Sequence, residues 1–283
     1  MVRTLRIDAH QHFWRYRPQD YGWIDDSMPD LKRDFLPEHL EPLLRGHGFD
    51  GSVAVQARMV EEETDSLLAL ARADSSVLAV VGWTDLRAPD VDRRLDARAG
   101  EPLLKGYRHQ VQDEPSPSAF LDDPAFNRGV EAVLRRGLVY EVLIHARELE
   151  AATRLCARHE GALVLDHLGK PDVRRESARD WGARLRPLAR LPHVRCKLSG
   201  LITEAAWKAW TGAQLVPYME TALELFGPKR LLFGSDWPVC LLSGTYGDVY
   251  GLAETALAGL SEHERALVWG GNAASVYNIA PRA

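Results

Sequence analysis

Two histidines set two residues apart, His10 and His12 in Ile7-Asp8-Ala9-His10-Gln11-His12-Phe13-Trp14, are the first residues whose types and spacing suit chemistry. Side chains in a strand alternate faces, so both imidazoles project to one side and Gln11 to the other. Such a pair can furnish part of a metal site or two polar hooks for a substrate. Two ordinary surface histidines are the plain alternative. Groups of similar character recur downstream. Leu104-Lys105-Gly106-Tyr107-Arg108-His109-Gln110 carries Lys105, Arg108, His109 and Gln110, and Leu165-Asp166-His167-Leu168-Gly169-Lys170-Pro171 carries His167. Cys196-Lys197-Leu198-Ser199-Gly200-Leu201 carries Lys197 and Ser199, and Phe233-Gly234-Ser235-Asp236-Trp237-Pro238 carries Asp236. The set suits hydrolysis. Asp236 can take a proton from water. His10, His12 and His167, with Asp236, can hold a divalent metal that polarises a carbonyl, or the histidines can hydrogen-bond that carbonyl directly. Arg108 and Lys197 suit an oxyanion or carboxylate, the first through a fork and the second as a point charge. Asp166 reads as a group that orients a neighbour or caps a turn, and His145 as a further metal-ligand position. His109 and Ser199 read as supports behind the reacting groups. His39, His47, His159, His193 and His263 fall on helices or loops and read as solvent-facing.

These groups lie at the ends of short apolar runs. Strand-like runs cover 51–56, 77–85, 103–110, 138–145, 162–167, 194–201 and 230–236. Helical patterns, with apolar residues three and four apart, cover 61–73, 90–99, 124–136, 147–160, 179–191 and 214–225. With the opening strand this makes eight strands, nearly all separated by a helix, which implies parallel pairing through right-handed crossovers. Eight such units point to a (β/α)8 TIM barrel forming one domain over residues 1–283. An open dinucleotide-binding sheet is disfavoured, because no Gly-x-Gly-x-x-Gly follows an early strand. In a barrel the C-terminal strand ends build the active site, which gathers the groups above into one mouth. The stretch 14–35, rich in aromatic and turn residues, is long for a loop and reads as a lid or binding loop. A further helix is expected over 37–48, a loop over 113–118, and a closing helix over 261–277 with Ser261 and Glu264 forming its capping box.

Composition narrows the function classes. With 283 residues, 46% hydrophobic and 27% charged, the chain can bury a large core, and its net charge of −5 argues against a nucleic-acid binder. The arginine-rich stretch 174–190 is interrupted by Glu176 and Asp180 and reads as the solvated face of an outer helix. Cys156, Cys196 and Cys240 are widely spaced and odd in number, which fits buried thiols in a reducing compartment. No apolar leader and no run long enough to span a bilayer occur, so a cytoplasmic protein without membrane partners is expected.

The motifs His10-x-His12, Leu165-Asp166-His167-Leu168-Gly169-Lys170-Pro171 and Phe233-Gly234-Ser235-Asp236-Trp237-Pro238 resemble the amidohydrolase superfamily in its sugar-lactone hydrolase branch. The resemblance runs from Arg6 to Tyr277. Arg108-His109-Gln110, Lys197-Leu198-Ser199-Gly200-Leu201 and Trp237-Pro238-Val239-Cys240-Leu241-Leu242 are most similar to the L-fuconolactonases of that branch. The resemblance implies an amidohydrolase-like (β/α)8 barrel that opens an aldonolactone ring, L-fuconolactone first, in L-fucose degradation. It makes Asp236 the base for water, places His10, His12 and His167 around the carbonyl, and gives Arg108 a contact with the substrate. A polyol ring wants hydrogen-bonding groups plus an aromatic wall, and Trp14, Trp23, Arg108, His109, Lys197 and Trp237 offer both as substrate-binding residues. Two-metal members need a bridging carboxylated lysine on strand four, a position that Lys105 does not match. At most one divalent metal such as zinc is therefore implied, and a metal-independent Arg/His site stays open. The competing reading on the same scaffold is a metal-dependent decarboxylase or other amidohydrolase acting on a small carboxylic acid.

Overall fold

The computed structural model describes residues 4–280, and they form the expected barrel. Eight parallel strands follow one another in chain order: β1 (Ile7–Gln11), β2 (Gly51–Val55), β3 (Val77–Gly82), β4 (Leu104–His109), β5 (Val139–Val142), β6 (Leu163–Leu165), β7 (Val194–Leu198) and β8 (Leu231–Phe233). The sheet closes just beyond the ends of β1 and β8. There the Asp236 amide donates to His10 O at 2.8 Å and the His12 amide donates to Trp237 O at 2.7 Å.

Each of the seven crossovers carries a helix: Pro37–Gly46, Glu62–Ala73, Val91–Asp96, Pro124–Arg135, Leu149–Arg158, Ala178–Ala189 and Gly212–Phe226. Local chemistry sets several of their starts. Pro37 and Pro124 occupy first-turn positions where a missing N–H costs nothing, and the Asp123, Ser177 and Thr211 side chains accept from backbone amides of the first turn. The strands are shorter than the apolar runs suggest. β3, β5 and β6 stop at Gly82, Val142 and Leu165, and the apolar residues beyond them leave the ladder to line the mouth loops. Three helices, Pro117–Asp122, Leu201–Glu204 and Tyr246–Ala256, occur where none is expected.

The closing helix keeps its capping box, with Ser261 Oγ accepting from Glu264 N at 3.3 Å and Glu264 Oε2 accepting from Ser261 N at 3.0 Å. It then breaks into Glu262–Ala266, a π-turn over Leu267–Gly271, and Asn272–Val276. The break lies where Gly270 presses on the chain entering β1, since a Cβ there would meet Leu5 O at 2.1 Å.

Strand alternation divides the core in two. Ala54, Val80, Tyr140, Leu165, Cys196 and Phe233 face the helices. Ile7, Val53, Ala79, Val139, Val164 and Leu232 face the other way, into the barrel, where Tyr277 and Ile279 of the C-terminal segment pack onto them. No helix among the described residues is long and apolar enough to cross a membrane.

Candidate active site

Moving one alternation along β5 and β6 replaces the apolar interior by charge. Glu141 follows Val139 by two positions and Asp166 follows Val164 by two, and both carboxylates are fully buried. They are matched by two buried cations. Lys197 Nζ lies 2.6 Å from Glu141 Oε2 and 3.1 Å from Asp166 Oδ1. Arg108 NH1 donates to Asp166 Oδ2 at 3.1 Å, and its other nitrogens donate to Gln56. Tyr277 OH donates to Glu141 from below. Burial pushes the Glu141 carboxyl up to about 7. Burial would also raise Asp166, but Lys197, His10 and Arg108 outweigh it and hold the carboxyl well below the usual range.

His10 and His12 stand above this layer. The β1–β2 register shifts between Asp8 and Gln11, an irregularity of the kind that re-aims side chains beside active sites. Their Nε2 atoms end 3.3 Å apart. Asp236 Oδ1 lies 3.4 Å from His12 Nε2, 3.8 Å from His10 Nε2 and 3.9 Å from His167 Nε2. Asp236 and His167 both hold positive φ, at 57° and 52°, with Leu168 and Lys170 also left-handed. Such strained backbone clusters at functional sites. Gly200, itself at φ 63°, leaves room for the His167 ring, because a Cβ there would fall 2.5 Å from His167 Nδ1. Ser199 Oγ lies 2.9 Å from that same nitrogen.

Electrostatics divides the roles. Burial and the nearby Lys197 charge push the His10 imidazolium well below its ordinary value, and burial takes His167 down to about 3, so both rings are neutral at neutral pH. Burial would raise Asp236, yet His167 and His12 hold it below the ordinary carboxylate value, so it is ionised. An ionised carboxylate beside neutral imidazoles and a guanidinium can accept a proton from water while donors face a carbonyl oxygen.

A cavity of about 290 Å³ opens over these groups. Of the residues expected at the site, His12, Trp23, Arg108, Gln110, His167 and Asp236 line it. His10 and Lys197 lie fully buried beneath it. Trp14, His109 and Trp237 do not line it. Trp14 donates from Nε1 to Arg33 O and packs on Tyr21, Trp23 and Phe35, which ties down the loop that follows β1. His109 stacks on Phe120 and pairs with Glu114 at 2.7 Å, and Trp237 packs edge-on against Phe13 and Phe35. In each case an apolar neighbour claims a ring that the motif alone would aim at a ligand. Lys197 is withdrawn by its two carboxylates.

Sequence reasoning passed over several wall residues, among them Met28, Lys170, Glu204 and Trp207. Lys170 stands inside the Leu165–Pro171 motif and was legible there; Glu204 and Trp207 had no motif to mark them. The loop over 14–35 does contribute, since Trp23 and Met28 reach the cavity. His145 lies apart, on a neighbouring cavity with Arg147 and Lys170. His159 is buried against Asn127 rather than solvent-facing, while His39 and His263 are exposed.

A divalent ion has a donor set available. His10, His12 and Asp236 present two nitrogens and an oxygen at separations of 3.3, 3.4 and 3.8 Å. Tetrahedral zinc with bonds near 2.0–2.2 Å needs ligand atoms roughly 3.3–3.6 Å apart. Two of the three separations fall in that range and the third, His10 to Asp236 at 3.8 Å, slightly exceeds it, so the set suits one ion once that pair draws a little closer. Lys105 sits at the second position of β4, away from the mouth, and offers no bridge to a second.

Comparison with known proteins agrees with this geometry. A family model described as amidohydrolase matches residues 7–279. The chain is 49% identical to an L-fucono-1,5-lactonase of Burkholderia multivorans, over 98% of this chain and 97% of that protein. It is 37% identical to an L-fucono-1,5-lactonase of Burkholderia ambifaria, over 98% and 96% of the two chains. A crystal structure of a Burkholderia multivorans amidohydrolase with bound zinc superposes with a TM-score of 0.93 at 48% identity, covering 98% of this chain and 100% of that one.

Proposed function

The chain belongs to the amidohydrolase family, and on that premise we propose that it is a lactonase that opens L-fucono-1,5-lactone to the sugar acid. The observation that carries this is the convergence of ionised Asp236 with His12, His167 and Arg108 on the floor of one cavity, in a chain 49% identical to a lactonase of that name. Asp236 takes a proton from water as its oxygen attacks the lactone carbonyl. Neutral histidine and the Arg108 guanidinium face the oxygen on which negative charge develops, each such donor supporting about 2.7–4 kcal/mol of transition-state stabilisation. The ring C–O bond then breaks, and the proton held by Asp236 passes to the leaving ring oxygen. Trp23, Trp207, Lys170 and Glu204 offer an aromatic wall and polar groups for the sugar hydroxyls. A divalent ion held by His10, His12 and Asp236 would polarise the same carbonyl when bound. The three cysteines are unpaired and buried, which supports the cytoplasmic setting proposed with this activity.

The test is a panel of aldonolactones followed by acid release, run with and without chelator, with metal content measured on the same sample. Turnover of L-fucono-1,5-lactone ahead of other ring sizes and epimers is expected. Failure to turn over any aldonolactone, or carbon dioxide release from an aromatic acid instead, would sink this reading.

A further inference from the structure

The proton positions in the floor of the site follow from its fixed groups, because a carbonyl only accepts and an ammonium only donates. His12 Nδ1 lies 2.8 Å from Val55 O, so Nδ1 carries the His12 proton and Nε2 a lone pair. His10 Nε2 is 3.3 Å from that lone pair, and the two nitrogens share a hydrogen bond only if His10 supplies the proton. His10 Nδ1 is then free to accept, and Lys197 Nζ stands 3.0 Å away. Three independent contacts thus agree on one directed chain, from Lys197 through His10 and His12 to Val55 O.

Three contacts pull the other way. Asp236 Oδ1, 3.4 Å from His12 Nε2, would welcome a proton there, against the shorter 2.8 Å bond from His12 Nδ1 to Val55 O. Asp166 Oδ1, 3.4 Å from His10 Nδ1, would welcome a proton on that nitrogen. Arg108 NH1, 3.2 Å from His10 Nε2, would welcome a lone pair there. Burial decides between the two arrangements. Lys197 is fully buried; one of its three N–H bonds meets His10 Nδ1 in hydrogen-bond geometry, and its ammonium stands in ion-pair range of Glu141 and Asp166. A proton on His10 Nδ1 would turn that N–H against another, with no water to receive it. Arg108 borders the cavity, where substrate or solvent can take whichever N–H is left over.

We propose that Lys197 is a positioning residue that locks His10 as its Nε2–H tautomer, so that His10 donates to His12 and fixes that ring at the cavity floor, and that it opposes capture of a divalent ion at His10 Nε2. An ion on His10, His12 and Asp236 needs a lone pair at His10 Nε2, and so a proton on Nδ1 facing the ammonium. The spacing of the three ligands therefore suits an ion while the group behind His10 works against it. Glu141, held by Tyr277, keeps the ammonium in place, which ties the C-terminal segment to the geometry of His10. The reaction served rests on the lactonase reading; the tautomer does not.

Native protein with isotope-labelled histidine and measured metal content reports the tautomer through its two-bond nitrogen–proton correlations. The Nε2–H form of His10 is expected, and an Nδ1–H form or a metal-bound Nε2 overturns the proposal. Lys197→Met should raise zinc affinity, read by chelator competition, by about 10–100-fold, the size of effect that partners of metal-bound histidines exert. It should also lower kcat with little change in KM. Unaltered zinc affinity in the folded variant would overturn the proposal as well. Should Lys197→Met fail to fold, the double variant with Glu141→Gln relieves the unpaired carboxylate, and the native spectrum decides without any variant. A native enzyme with His10 as Nε2–H but no aldonolactone turnover would remove the lactonase reading and leave the tautomer standing.

Discussion

The barrel interior changes character within a single alternation of β5 and β6. Val139 and Val164 belong to an apolar group that Tyr277 and Ile279 seal. Glu141 and Asp166, two residues further on, belong to a layer in which two carboxylates face a lysine and an arginine with almost no solvent. The lower layer is held by area removed from water and is tolerant of any filling of the right volume. The upper layer gains little net stability from its ion pairs, because desolvation cancels much of their attraction, but removing one partner strands a charge. What the charged layer contributes is direction: it points fixed donors at His10. The apolar layer supports the fold, and the charged layer supports the orientation of a ring beneath the cavity.

That contrast can be broken by substitution on either side of it. The largest effect is expected at the mouth. Asp236→Asn should lower kcat by about a hundred- to ten-thousandfold, the range for loss of a general base. Asparagine tolerates the left-handed backbone at this position, so the melting curve should match that of the native protein. Near-native turnover would remove Asp236 as the base. Next comes the lower layer, where Leu232→Ala should cost about 2–5 kcal/mol in denaturant unfolding. The kcat/KM of the folded fraction should stay unchanged, and a parallel loss of activity would show that the two layers are not separable.

The smallest effects are in pH. Asp236 is held below its ordinary value of 3.8, burial being outweighed by His167 and His12, so the acid limb of kcat/KM should lie below that pH. Glu141 behaves oppositely. Its folded value of about 7, raised by burial, exceeds the unfolded 4.5, so the folded state binds the proton more tightly. Its contribution to stability is then complete below 4.5 and is lost as pH rises through about 7. Glu141→Gln should flatten that decline in melting temperature measured between about pH 5 and pH 8. An unchanged slope would mean that Lys197 keeps Glu141 ionised throughout.

The alternation of apolar runs was enough to read the barrel, because parallel strands buried on both faces leave short Val- and Leu-rich segments between helices. His12, His167 and Asp236 were legible for a related reason, since each follows such a run and strand ends meet at one mouth. The strand ends themselves were not legible. Leu143 is as apolar as the residues in the ladder, yet it leaves the ladder to wall the cavity. Aromatic residues were legible only in part: Trp14, Trp23 and Trp237 all suit a sugar wall by type, but neighbouring rings claim Trp14 and Trp237, while Trp23 reaches the cavity together with the unmarked Trp207. Glu141 was passed over because one carboxylate inside an apolar run carries no spacing signal.

By itself, then, the chain determined its periods and its inventory: strands with a repeat of two, helices with a repeat near four, and an acid, a set of histidines and two cations at strand ends. Only the closed barrel decided which of these touch. Lys197 meets His10 across 187 positions and Arg108 meets it across 98. Contacts that distant depend on how every intervening strand is registered and tilted, and no local pattern carries that information. The same closure turned Lys197 from a candidate substrate contact into the buried partner of a catalytic-site histidine, because two carboxylates from neighbouring strands reach its ammonium first.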